Sequence, residues 1–288
     1  MKNKKTLMLV LVIFAALFLL SGCSVPTDPE TKEVILITSD TTFKSIMDSE
    51  SWFSAFFVFP LAKIINALTP YAGVASSISL VTIGVHLIVL LLTLKSTIAS
   101  QKMQTIQPEL TKIQKKYEGK TDENSKMRMA KEMEDLYSKH NINPLSTIIT
   151  SFIQIPVFLS IYHAVQRSEA VKFGSFLGMS LQKTPLSGIT SGEWGYLLLF
   201  IIMILAQVGS MMFPQFLANH KAKKEAELQH KKYVKAKSPL GNSMYLIMLP
   251  VLVFSISWAS AMTIYWIISS LVAIGKALLV QFILSKKA

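Results

Sequence analysis

From Val74 to Leu94 the chain runs with almost no polar side chain, about the 20 residues that one helix needs to cross a bilayer core. In the middle of it, in Val81-Thr82-Ile83-Gly84-Val85-His86-Leu87-Ile88-Val89-Leu90-Leu91-Leu92, stands one histidine. The run is not isolated. Residues 144–165 and 196–214 form two further apolar stretches, and Met244 to Leu284 is a block long enough for two helices. We break that block near Trp258-Ala259-Ser260-Ala261, giving spans at 244–258 and 260–284 joined by a tight hairpin. The first of these reaches only about 21 Å at 1.5 Å per residue, so the bilayer is expected to thin there. With 51% hydrophobic and 16% charged residues, the 288-residue chain reads as a polytopic all-α membrane protein with five transmembrane helices.

Loop charge sets the expected orientation. Lys95, Lys102, Lys112, Lys115, Lys116, Lys120, Lys126, Arg128, Lys131 and Lys139 lie between the first two spans. Lys221, Lys223, Lys224, Lys231, Lys232, Lys235 and Lys237 lie between the third and fourth. Both segments, 95–143 and the basic loop 215–243, are therefore expected in the cytoplasm, with the 285–288 tail. The loop 166–195 carries only Arg167, Lys172 and Lys183 among its basic residues and falls outside. Topology thus absorbs most of the +12 net charge, which argues against a specific nucleic-acid partner. Within 95–143, Ile106, Leu110, Ile113 and Tyr117 form one helical stripe, and Met129, Met133, Leu136 and Tyr137 a second. Pro108 suits a first helical turn, Gly119 a stop, and Thr121 or Asp122 a cap, so an antiparallel helical hairpin is expected. It serves as a spacer or as a lysine- and methionine-rich contact surface.

The amino terminus has the layout of a secretory signal over residues 1–22, with Lys2, Lys4 and Lys5 before an apolar run. Leu20-Ser21-Gly22-Cys23 looks like a lipobox, in which Cys23 would carry a diacylglycerol and an N-acyl chain; the alternative is an uncleaved anchor. As the only cysteine, Cys23 excludes an internal disulfide or a multi-cysteine metal site. Residues 23–50 read as a polar extracytoplasmic linker. Residues 51–70, with Trp52, Phe53, Phe56, Phe57 and Phe59, read as an amphipathic helix lying in the outer interface.

Polar side chains inside the spans are His86, Gln154, Gln207, Ser210, Thr263, Trp266 and Lys276. An ionisable group in a span is a functional candidate. His86 lies nine residues before Lys95, about 13 Å from the inner boundary at 1.5 Å per residue, too deep to snorkel. The glutamines either line a wet surface or bond neighbouring helices. Lys276 reaches either that surface or the inner headgroups, and Trp266 lines or packs. No GxSxG or HExxH accompanies His86 and His163, so an intramembrane hydrolase lacks its parts. A small-solute or ion transporter remains the rival, but no internal repeat or matched pair of broken spans is present.

Several short motifs, taken in order, point to one family. They are Phe57-Val58-Phe59-Pro60-Leu61, Gln107-Pro108-Glu109, Lys116-Tyr117, Asn143-Pro144-Leu145, Gln154-Ile155-Pro156, Tyr162-His163-Ala164 and Tyr265-Trp266. From about Trp52 to Leu284 the chain resembles the YidC family of membrane protein insertases, in the lipoprotein form of Gram-positive bacteria. The resemblance implies a plasma-membrane insertase and chaperone rather than an enzyme, with no cofactor beyond the lipid on Cys23. Its five helices would surround a hydrophilic groove open to the cytoplasm and to lipid. The implied partners are nascent membrane proteins, membrane lipids, the Sec translocon and the ribosome. Gln154, Gln207 and Trp266 match family positions. The family's groove carries an arginine in the first span, and the matching residue here is His86. An imidazole can lose its charge where a guanidinium cannot, so a weaker, pH-sensitive attraction for acidic substrate tails is expected.

Overall fold

The computed structural model describes residues 24–228, 230 and 253–286. The signal segment, Cys23, most of the fourth predicted span and residues 231–243 of the basic loop lie outside them. The chain divides into two compact units, made of the described residues of Met1–Val85, Phe152–Leu197 and Trp258–Tyr265, and of His86–Ser151, Leu198–Ser257 and Trp266–Ala288.

In the first unit, α1 (Phe43–Ser49) starts at a capping box, where the Thr42 and Ser45 side chains each accept the other's backbone N–H. A π-helical turn (Ser54–Val58) runs into α2 (Phe59–Ala72), with Pro60 in its first turn. Gly73, at φ +76, ends α2 in a conformation that a side chain would disfavour, and α3 (Val74–Thr105) begins at the next residue. Ala62 and Ile65 of α2 are fully buried, while Trp52, Phe56, Phe57 and Ile64 are exposed. The helix is therefore one-sided, as the sequence implies.

The segment read as a linker is built into this unit. Ile37 is fully buried and bridges in parallel to Ser168, and Thr27 bridges to Val34. Its polar composition hides this order because the partners come from α2 and from α6 (Pro144–Arg167). Short α7 (Glu169–Lys172), a two-stranded ribbon of β1 (Ser175–Phe176) and β2 (Met179–Ser180), and α8 (Pro185–Thr190) follow.

Next come α9 (Trp194–Leu228) and α10 (Ser260–Ser285). The helix of residues 253–255 is broken at 256–259, where the sequence placed the hairpin. Among the described residues, four helical stretches are long and apolar enough to cross a membrane: Ser54–Ala72, Val74–Thr105, Trp194–His220 and Ser260–Ser285. Both α3 and α9 outrun the apolar spans predicted for them, by the length from Lys95 to Thr105 and from Gln215 to Leu228. Hydropathy reports where hydrocarbon would end, whereas lysine, glutamine and alanine keep a helix going in water. Four hydroxyls within α3 are satisfied by their own helix, whereas that of Thr82 is buried without a hydrogen-bond partner among the described residues. Ser77, Ser79, Thr93 and Thr97 each donate to the carbonyl four residues back at 2.6–2.9 Å.

The first turns of three of these helices meet around one loop. Ser260 and Ala261 donate backbone N–H groups to the carbonyls of Lys183 and Leu181, both at 3.0 Å. The Tyr196 hydroxyl donates to the Ser180 carbonyl at 3.0 Å, and Gly174 packs against Val74. Thus α3, α9 and α10 all begin at the place where α6 ends.

In the second unit, α4 (Gln107–Lys116) and α5 (Glu123–Lys139) pack antiparallel, the order shown by the pairs Lys116 with Glu132 and Glu109 with His140. Ile106, Leu110, Leu136 and Ile142 form their core, flanked by Met103, Ile113, Met133 and Tyr137. Pro108 lies in the first turn of α4, and Asp122 caps α5 by accepting the Ser125 N–H at 2.8 Å. Tyr117, predicted for the apolar stripe, instead donates its hydroxyl to Glu132. Met129 is not in the core cluster.

Candidate functional site

Polar side chains of three apolar helices meet in the second unit. His86, on α3, is 3% exposed. Its Nε2 lies 3.0 Å from the Ser269 hydroxyl and its Nδ1 3.3 Å from the Lys276 ammonium, both on α10. With Lys276 protonated, Nδ1 is the acceptor and the Nε2–H donates to Ser269. Ser269 and Lys276 are seven residues apart, two turns of helix, which puts them on one face of α10.

The Lys276 ammonium has three N–H donors and gives one to His86. Among the described residues no carboxylate lies within ion-pair distance of it. Elsewhere on α10, the Ser270 hydroxyl donates to the Gln207 Oε1 on α9 at 2.8 Å, and Ser210 donates to the Gln207 carbonyl at 2.8 Å. Gln101 on α3 donates to the Ala277 carbonyl at 3.1 Å. The pairs His86 with Ser269 and Gln101 with Ala277 advance together along the two helices, so α3 and α10 run in the same direction.

The sequence-predicted residues therefore separate. His86, Lys276, Gln207 and Ser210 share the second unit with half-buried Trp266. In the first unit Gln154 is exposed on α6 and Thr263 is 3% exposed on α10. There Phe158, Tyr162, Trp258 and Tyr265 form an aromatic cluster with ring centroids 5.8–6.1 Å apart. Ser269 and Ser270 were missed by the sequence argument, although the two-turn spacing of Ser269 from Lys276 carries a signal. Also missed was Arg167, counted only as a topology signal. It is fully buried, donates to both oxygens of Glu50 at 2.7 and 2.6 Å, and donates to the Ile35 carbonyl at 2.8 Å. Asn66 completes this network: it donates to the Ile37 carbonyl at 2.6 Å and accepts from the Ser168 hydroxyl and the Ala170 N–H.

Outside the spans, ionisation is tuned on the α4–α5 hairpin. Hydrogen bonds from Lys116 and Tyr117 hold the Glu132 carboxyl below its usual range, and Glu132 in turn raises Lys116. The Ser125 N–H lowers Asp122. Burial raises Tyr137. Among the described residues no cluster of His, Cys, Asp and Glu could hold a metal ion.

An ammonium bonded to His86, on a helix that also carries the Gln207–Ser270 pair, suits binding of a polar or anionic group inside apolar helices. Comparison with known proteins points the same way. The family model of the 60Kd inner membrane protein matches residues 64–287. Over 96% of its length the chain is 26% identical to the membrane protein insertase MisCA of Bacillus subtilis (strain 168), covering 92% of that protein. It is 27% identical to the membrane protein insertase YidC of Oceanobacillus iheyensis over 96% of this chain and 97% of the relative. It is 31% identical to that of Mycoplasmopsis pulmonis over 80% of this chain, but spans only 38% of that longer relative. The chain belongs to the 60Kd inner membrane protein family, which is the YidC family.

Proposed function

We propose that this protein is a membrane protein insertase and chaperone of the bacterial plasma membrane, which lets the hydrophilic part of a nascent membrane protein pass through a polar groove between its helices. The observation that carries this reading is the set of polar side chains on α3, α9 and α10 that meet inside otherwise apolar helices, with Lys276 held by His86. Moving a charged residue through hydrocarbon costs about 2.5–3.5 kcal/mol on the insertion scale. Polar partners partway across lower that barrier. Because His86 is itself buried, the group offered to a substrate is Lys276, and His86 acts by positioning. Gln154 and Trp266 are groove candidates on the family resemblance, and Thr263 as a polar residue inside a span.

The contacts within the first unit support a reading with five spans. Since α3, α9 and α10 begin together where α6 ends, a chain that leaves that side in α9 must return before Ser260, and residues 244–258 are the apolar stretch available to do so. The common direction of α3 and α10 supports the same count. By loop charge the shared side is extracytoplasmic, and the α4–α5 hairpin faces the cytoplasm. Asn66, in the middle of α2, touches Ser168 just past the end of α6, which suits a helix lying along the outer surface. Cys23 then anchors the amino terminus in the outer leaflet through its lipid. The Sec translocon and the ribosome are partners by family resemblance.

The test is insertion of a single-span protein into liposomes holding only the purified chain and no energy source. Insertion by the native protein, reduced by Lys276→Met and restored by Lys276→Arg, is the expected result. Solute flux without insertion would make the protein a transporter instead.

A further inference from the structure

The β1–β2 ribbon turns at Leu177 and Gly178, whose φ values are +52 and +80. Two left-handed residues in a two-residue turn call for Asn-Gly, and leucine rarely adopts this conformation. Leu177 gains no packing in return, being 83% exposed, and Phe173 at the foot of the ribbon is 77% exposed. The base is held firmly. A side chain at Gly174 would meet the Ala170 carbonyl oxygen at 2.4 Å and Val74 at 3.0 Å, and Leu181 is fully buried. The flanks are tied to the first turns of α3, α9 and α10 through Val74, Tyr196, Ser260 and Ala261.

We infer that this ribbon is a membrane-inserting prong, with Leu177 and Phe173 seated among the headgroups and upper acyl chains of the leaflet at which α3, α9 and α10 begin. Reach decides the occupant. Each strand has two residues, so at about 3.3 Å per residue the tip stays within about 10 Å of the first turns of the spans. The headgroup layer on each side of the hydrocarbon is of comparable depth, about 5–8 Å. A rigid apolar tip confined to that layer meets lipid. Its neighbours fit the same surroundings. Trp194, at the start of α9, is 70% exposed, and Tyr71, just before α3, is 90% exposed, in the manner of interfacial aromatics. Lys172, adjacent to Phe173, brings an ammonium to the level of lipid phosphates.

The inference does not rest on insertase activity, and its experiment is separate. The full chain, with Cys23→Ser and Leu177→Cys carrying an environment-sensitive fluorophore, is placed in phosphatidylcholine–phosphatidylglycerol vesicles with nitroxides at the headgroup or deep in the acyl chain. The label is expected to emit to the blue of the same label on Glu118→Cys and to be quenched more by the headgroup-proximal nitroxide. Emission matching the Glu118→Cys label, without lipid quenching, would overturn the inference. So would a blue shift that no lipid nitroxide quenches, which would indicate a protein partner. Leu177→Asn suits the turn, so the ribbon stays folded. In that background a label on Ser175→Cys is expected to lose its lipid quenching, and unchanged quenching would count against the leucine as the inserting group.

Discussion

The Arg167 guanidinium, fully buried at the end of α6, holds both carboxylate oxygens of Glu50, the residue at which α1 ends. This bidentate pair and the Asn66 network stitch residues 24–50 onto the helices. Removing one member leaves the other charged, buried and alone, at a cost of about 3–5 kcal/mol. Arg167→Met or Glu50→Ala is therefore expected to lower the thermal midpoint and to speed exchange of the Ile37 amide, which donates to the Arg167 carbonyl at 2.7 Å. The double variant should lose less than the sum of the two. Additive losses would show that the pair is not coupled.

A second expectation concerns His86 and Lys276. Replacing His86 with arginine puts two cations about 4 Å apart, a repulsion of about 1–4 kcal/mol at the effective dielectric of water or a protein surface. His86→Arg alone is expected to insert substrates poorly, and adding Lys276→Met is expected to recover much of the loss, because one cation then remains at the site. If the double variant inserted no better than the single one, the charge would not be transferable between the two helices.

On the hairpin, Glu132 is lowered by its hydrogen bonds, so its stabilising contribution is complete above the carboxyl's unfolded pKa and is lost as pH falls through the lower folded value. Asp122 behaves alike. Amide protection in α5, followed by hydrogen exchange in the full chain, should hold from neutral pH into the mildly acidic range and fall below about pH 4. Glu132→Gln should flatten part of that dependence. Lys116, raised by the same contact, contributes below its unfolded pKa and stops as pH rises through the folded one.

Gly188 in α8 lies under the ring of Tyr196, where an added Cβ would meet ring atoms at 2.2 and 2.3 Å. Tyr196 is 1% exposed, and its hydroxyl is bonded to the Ser180 carbonyl. Gly188→Ala is expected to cost about 1–3 kcal/mol, as overpacking does, although alanine is the better helix former. A thermal midpoint equal to that of the native protein would show that the ring can move.

Much of the architecture is legible one residue after another. The apolar runs, the break before Ser260, Pro108 opening α4, Asp122 capping α5 and the Ile106–Leu110 stripe all depend on neighbours within a few positions. Helix ends were less legible. The segments Lys95–Thr105 and Gln215–Leu228 remain helical past the point where hydropathy falls, because leaving hydrocarbon is no reason to unwind.

By itself the sequence determined the class of protein, a set of apolar helices with basic loops, and the polar residues that needed explaining among them. Burial of single side chains in hydrocarbon and charge in loops are local sums over the chain. Only the tertiary structure decided that His86 is a buried hook for Lys276, 190 positions away, and that Arg167 is a clamp on Glu50, 117 positions away. A polar group in a low-dielectric interior takes whatever partner packing brings within hydrogen-bonding distance, and no local pattern encodes which one that is.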